Sequence, residues 1–260
     1  MWCQATIILS EFQCLINKFD IVCFQETKLD DIDIIDYENF IFKYKNRKKI
    51  SNYKSGGIAL GYKKYLERYI TVIESECPFV YWFSVKKENS DFQENIIFGI
   101  TYIPLKNTTY ASDEAFSEIE SEFQNFSKNN DYMCLLGDFN SRTATLKDFY
   151  EIEDSDEISD ININVFSDIC ILDDLNISRS RKNPDTIVNK YGRKLIEFCK
   201  NNNMFILNGR FGKDSIGRMT CKNKSVVDYM ICTCNVLENI LDFEVQDFCR
   251  LFSDVLFHLL

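Results

Sequence analysis

Histidine is the scarcest residue with chemical consequence: the chain holds 1 in 260 residues, His258. Any two-histidine metal motif is thereby excluded. The 11 cysteines include no Cys-x-x-Cys pair, only scattered positions and a Cys232-Thr-Cys234 spacing, so a thiolate zinc site is not expected either. Glycine (9) and proline (3) are also short, against about 18 and about 13 in an average chain of this length. No apolar run approaches the roughly 20 residues that cross a bilayer, so no membrane partner is expected. The first ten residues lack the basic stretch and apolar core of a secretory signal. With an odd cysteine count, this predicts an intracellular chain whose thiols are reduced and serve as small core hydrophobes.

What is present is an ordinary globular composition, 45% hydrophobic and 27% charged, which supports a single domain over 1–260 without linker or repeat. A net charge of -10 argues against a general polyanion binder. The charge is uneven, however. Basic residues gather at 43–54 (KYKNRKKISNYK) and 178–194 (SRSRKNPDTIVNKYGRK), acidic ones at 30–38 and 151–160. Each basic run fits a solvated loop or, alternatively, the flank of a phosphate-binding face.

Short runs rich in Ile, Val, Phe and Tyr predict strands at 20–24, 57–62, 69–73, 80–85, 96–102, 132–136, 204–207, 226–232 and 240–245. Helices are fewer. A capping box at Ser10 opens one to about 18; Ser112 can cap a second with Phe116, Ile119, Phe123 and Phe126 on one face; a third runs from 191 to 202 with Leu195 and Cys199 at i,i+4. Few βαβ alternations point to an α/β fold of packed sheets covered by helices.

Five strand ends carry a polar group capable of chemistry. They are Glu26 in DIVCFQET, Tyr102 in GITYIP, Asp138 and Asn140 in CLLGDFN, Asp228 in SVVDYM, and Asp254 after Ser253. A rigid sheet presents ligands at its rim in this way. Asp138 and Asn140, two apart, share a face if the strand continues. One such acid reads as a solvated strand end; five in one chain call for a common explanation.

In order and spacing the segments resemble the endonuclease/exonuclease/phosphatase superfamily, specifically the apurinic-like endonuclease domain of non-LTR retrotransposons. The likeness covers about 16–254 and includes SGGIALGY, GDFNSRT, LNGR and GRMTC. It implies a four-layer α/β/β/α sandwich of two mixed sheets between helices, and Mg²⁺-dependent (or Mn²⁺-dependent) phosphodiester hydrolysis on DNA, with a nuclear location if genomic DNA is the substrate. It implies Glu26 as metal ligand, joined by Asp254; Asp138 orienting or deprotonating the attacking water; Asn140, Tyr102 and Arg142 on the phosphate; and Asp228 facing the site from an adjacent strand.

Two elements of that pattern are missing. The superfamily begins with a strand bearing a metal-site Asn in an Asn-x-x-Gly context, whereas MWCQATIIL contains neither residue, so the first strand is expected to be truncated or replaced. Its closing Ser-Asp-His is here Ser253-Asp254-Val255. His258 sits at an odd offset from 255, which on a strand is the opposite face. The expectation is a retained fold with impaired turnover. The alternatives are a dead module that binds nucleic acid or protein, and a hydrolase of small or lipid phosphates.

Overall fold

The computed structural model describes residues 12–48, 55–89, 93–150, 169–246 and the backbone of 257–259. Six strands form the central sheet. They are β4 (Ile70–Ile73), β5 (Val80–Val85), β6 (Ile96–Tyr102), β7 (Met133–Asp138), β9 (Asp228–Thr233) and β8 (Met204–Ile206), in that spatial order. All neighbours are antiparallel except β6 and β7, whose parallel pairing needs a crossover; helix α1 (Ala115–Ser127) supplies it. A second sheet, β1 (Ile21–Gln25), β3 (Ile58–Lys63) and β2 (Phe40–Lys45), is antiparallel with β3 in the middle. β10 (Phe243–Val245) pairs with β11 (Phe257–Leu259).

The layers follow from which faces are apolar. β6 is nearly continuous hydrophobe because both its faces are covered. On one side Ile97, Leu135, Tyr229 and Ile231 meet Phe116, Ile119 and Phe123 of α1 and Leu195, Phe198 and Cys199 of α2 (Lys190–Asn201). On the other, Ile100, Tyr102 and Phe83 meet Ile58, Leu60 and Tyr62 of the small sheet. Farther along that face Met230 and Phe205 pack with Phe243, Val245 and the helix at 169–174. The outer face of the small sheet, through Val22 and Phe40, receives Ile16 from the helix at 12–16. Helix, sheet, sheet and helix make the expected α/β/β/α order. No helix of the described residues is long and apolar enough to cross a membrane.

Several expectations need correction. β2 (FIFKYK) was hidden by its charges, because Lys45 faces inward rather than into water: its Nζ donates to the carbonyls of Ser75 (3.0 Å), Cys77 (2.6 Å) and Val80 (3.0 Å) and to Ser75 Oγ. Glu122 of α1 secures the same turn, accepting from Trp82 Nε1 (2.8 Å), Ser75 Oγ and Cys77 N. The second basic run is largely solvated, with Arg179, Lys182, Lys190 and Arg193 exposed, and departs from that expectation at Arg181. Arg181 is only 6% exposed, and Arg179 pairs with Asp173. Ser112 does not cap α1; its hydroxyl accepts from Glu114 N, and Glu114 is the helix's first flanking residue. The third helix is as expected, with Asn189 Oδ1 accepting from Gly192 N at its start. Cys77, Cys134, Cys199 and Cys232 are buried free thiols, as small hydrophobes should be. The N-terminal segment, the acidic run at 151–160, and Asp254 and Val255 lie outside the described residues.

Candidate active site

Strand register brings the polar ends together. Tyr102 on β6 is level with Asp138 on β7, which is level with Asp228 on β9. Three neighbouring strands therefore deliver a phenol and two carboxylates to one edge, on the face turned towards the small sheet. From that sheet Glu26 follows directly on β1, and the Tyr102 hydroxyl donates to its Oε1. The two layers thus meet through a side-chain hydrogen bond at the same end.

Glu26 is placed by backbone, not by strand alternation. Its φ is +53°, an uncommon left-handed value outside glycine. The turn that follows is pinned by Thr27 N to Gly57 O (3.3 Å) and Lys28 N to Gly56 O (2.8 Å). Gly56-Gly57 can dock so closely because it lacks side chains: a Cβ on Gly57, whose φ is +91°, would stand 2.4 Å from Thr27 Oγ1. The Glu26 side chain stays about half exposed (49%) and available to a ligand.

Asn140 reaches the site by a different route from the one expected. The strand stops at Asp138 and Asn140 turns to φ +48°, so alternation no longer applies. A tight turn does the work instead: Asp138 Oδ1 accepts from Asn140 N (2.8 Å), and Asn140 Nδ2 donates to Asp138 Oδ2 (3.1 Å) and to Ile103 O (2.8 Å). Asn189 Nδ2 holds the Asn140 carbonyl from the start of α2 (2.9 Å). Arg142, expected at the substrate, has its fork occupied: Nε and Nη2 reach the two oxygens of buried Asp185 at 2.7 and 2.6 Å. That pair ties the loop before α2 to the strand end.

Residues not singled out in the sequence complete the frame. Thr220 Oγ1 accepts from Val227 N (3.0 Å) and Asp228 N (3.1 Å), fixing where β9 begins. Asn208 spans the same strand, accepting from Met230 N (3.0 Å) and donating to Asp228 O (3.3 Å). Both lie in segments, GRMTC and LNGR, whose motif value was visible while the role of these two side chains was not. Arg47 lies with its guanidinium carbon 4.7 Å from the centre of the Tyr102 ring.

Burial and charge set the protonation states. Tyr102 is pushed far up from an ordinary phenol by burial, then by its bond to Glu26 and the nearby Asp138 carboxylate, so it remains a donor at neutral pH. Asp214, in the loop after Asn208, is fully buried with Oδ2 accepting from Gly209 N (2.9 Å). Burial lifts its carboxyl from 3.8 to about 6, opposed by the Gly209 bond and by Arg218. A raised acid is a cost at neutral pH: the folded state holds a proton through that window which the unfolded state releases, so the contribution of Asp214 to stability is most favourable below 3.8 and falls as pH rises through about 6. Asp214→Asn is expected to flatten that slope and raise stability at pH 7 by on the order of 3 kcal/mol, read from urea unfolding at several pH values. An unchanged pH profile would refute the assignment.

The donors at this edge are all oxygen: the carboxylates of Glu26, Asp138 and Asp228 and the amide of Asn140. That set suits a hard divalent cation that takes few protein ligands and keeps water and phosphate oxygens. Among the described residues no three His, Cys, Asp or Glu side chains are grouped so as to hold a metal ion by themselves. His258 lies on β11 opposite Glu244 in register.

Neither a protein-family model nor a curated protein sequence matches the chain. Solved structures do. An AP endonuclease from Leishmania major superposes with a TM-score of 0.59 at 12% identity, covering 93% of this chain and 77% of that one. The endonuclease domain of TRAS1, a telomere-specific non-LTR retrotransposon, gives 0.52 at 13% identity over 94% and 85%. A 3′ phosphatase from Neisseria, bound to a product DNA hairpin, gives 0.53 at 13% over 92% and 87%. At 12–13% identity these likenesses show that the chain shares the fold of these two nucleases and this phosphatase.

Proposed function

We propose that the chain is a Mg²⁺-dependent phosphodiester hydrolase acting on DNA, of the retrotransposon-endonuclease kind, with turnover reduced because Val255 stands in the place of a histidine and the N-terminal metal-site Asn is absent. The observation that carries the reading is the shared level of Tyr102, Asp138 and Asp228 on three adjacent strands, with Glu26 brought to Tyr102 from the other sheet. A lone solvated acid would not be matched across two layers.

Roles follow from the geometry. Asp138, its carboxylate oriented by both donors of Asn140, is the group placed to align a water and take its proton. The Asn140 amide, which donates to Asp138 and Ile103, and the Tyr102 hydroxyl, which donates to Glu26, would exchange those partners for phosphate oxygens, where charge builds during in-line attack. Glu26 is the carboxylate for the divalent ion, with Asp254 its sequence-proposed companion; bound there, the ion would neutralise phosphate charge. Asp228 adds negative charge beside Asp138, which favours a cation in the site. Arg142 acts on substrate only through the loop it anchors.

Relaxation of supercoiled plasmid tests the reading. Weak nicking is expected with Mg²⁺ or Mn²⁺ and none with EDTA, and Asp138→Asn should remove the residual product. Robust nicking that survives Asp138→Asn would overturn the assignment. Salt-dependent DNA binding with no product under any metal would instead identify a binding module built on the same site.

A further inference from the structure

The acidic and amide groups at this edge leave a question of charge: a phosphodiester is an anion, and Glu26, Asp138 and Asp228 repel it. We propose that Arg47 supplies the answer as a phosphate-binding residue, its guanidinium taking a backbone phosphate oxygen of DNA beside Tyr102. The inference rests on the hydrolase reading above and adds to it a specific cation.

Four observations converge on Arg47. Its guanidinium is held by aromatic rings, 4.7 Å from the centre of Tyr102 and 5.5 Å from that of Tyr110, which fixes it at the hydroxyl-bearing side of the site. Its donors are under-used: Nη2 lies 3.5 Å from the Tyr102 carbonyl, at the outer limit, the Tyr102 side chain is a further polar neighbour, and Nη1 is enclosed without a partner among the described residues. Burial lowers its pKa, opposed by Tyr102, Tyr110 and Glu26, so the chain holds a partly desolvated cation with unspent donors. Finally, the chain makes room for it. A Cβ at Gly56 would stand 2.5 Å from Nη1 and 2.6 Å from the guanidinium carbon, and Gly56 has φ +74°. The first glycine of the Ser-Gly-Gly segment thus accommodates the arginine, as the second accommodates the turn of Glu26.

A planar guanidinium matches a phosphate with two parallel donors, and a desolvated one binds it more strongly than a solvated lysine does. The remaining cations nearby differ in kind. Lys28 is an exposed partner of Glu26 at 3.7 Å, and Lys45 is consumed by three carbonyls. Arg47 alone of these combines a fixed position beside the phenol with spare donors.

Binding of a short fluorescein-labelled duplex, followed by anisotropy across a salt series without divalent metal, tests the proposal. Arg47→Gln is expected to weaken binding about tenfold and to lower the log-log salt slope by about one, while Arg68→Gln, at the opposite end of the sheets, changes neither. Arg47→Lys keeps the charge and loses the fork, so it should retain the slope and lose affinity several-fold. Urea unfolding run beside these measurements shows whether each variant is folded; should Arg47→Gln not fold, the lysine variant decides. Parental affinity in Arg47→Lys, or an unchanged slope in folded Arg47→Gln, would overturn the role of Arg47 while leaving the hydrolase reading intact. A parent chain that neither binds nor nicks DNA would overturn both.

Discussion

Alanine at Arg210, or at Asp148, is expected to cost about 3–5 kcal/mol of folding free energy, a large share of the roughly 5–15 kcal/mol that holds a domain folded. Both side chains are fully buried. Arg210 Nη1 and Nη2 meet the two Asp148 oxygens at 3.0 and 2.7 Å, Nη2 also donates to Arg179 O, and Asp148 Oδ2 accepts from Ile206 N at 2.7 Å. Neither charge has access to water, so removing one strands the other in a medium where an isolated ion is very costly. The pair itself is not a large net gain over hydrophobic residues of equal volume. The double variant Asp148→Leu with Arg210→Met should therefore lose much less than the sum of the singles, retaining a penalty for the Ile206 amide. Urea unfolding of the four proteins in the cycle gives the coupling directly, and additive losses would sink the argument. The consequence reaches the site, because Arg210 stands two residues after Asn208, which holds the strand of Asp228.

That arginine shows how far the sequence could be read. LNGR is visible as a motif, yet no pattern in one chain tells whether its arginine points to DNA or to a buried carboxylate 62 residues away. Strands were legible where apolar residues run together, as in β5 and β6, because a middle-layer strand is apolar on both faces. β2 was not, since half its side chains are charged or phenolic and the reason Lys45 tolerates burial is a set of carbonyls contributed from another sheet. The same limit governs the site. Carboxylates at strand ends are a local signal, and Glu26, Tyr102, Asp138 and Asp228 could be picked out. That they stand level with one another is a matter of register between strands remote in sequence, which only the fold supplies. Asn140 illustrates the difference: strand alternation predicts its nearness to Asp138, but the strand ends at Asp138 and a left-handed turn produces that nearness instead.

Val255→His, made together with an N-terminal strand that restores the metal-site Asn, is the other change with a large expected effect, a gain of about 10² to 10⁴ in the nicking rate. The argument is one of protonation. Tyr102 is held far above neutral as a phenol, and Asp138 serves the incoming water, so neither is free to stabilise a second developing charge as a cation would. An imidazole titrates near neutrality and can donate to a phosphate oxygen in the transition state, a contribution that no side chain of Val can replace. Because catalytic groups act together, the gain should appear only where the rest of the set is intact. The same double repair combined with Asp138→Asn is accordingly expected to show no more product than Asp138→Asn alone. The restored rate should fall at acid and at alkaline pH, since it needs an ionised Asp138 and a protonated imidazole. A rate unchanged by the double repair, with DNA affinity and unfolding midpoint equal to the parent, would mean that the missing histidine and Asn are not what limits turnover.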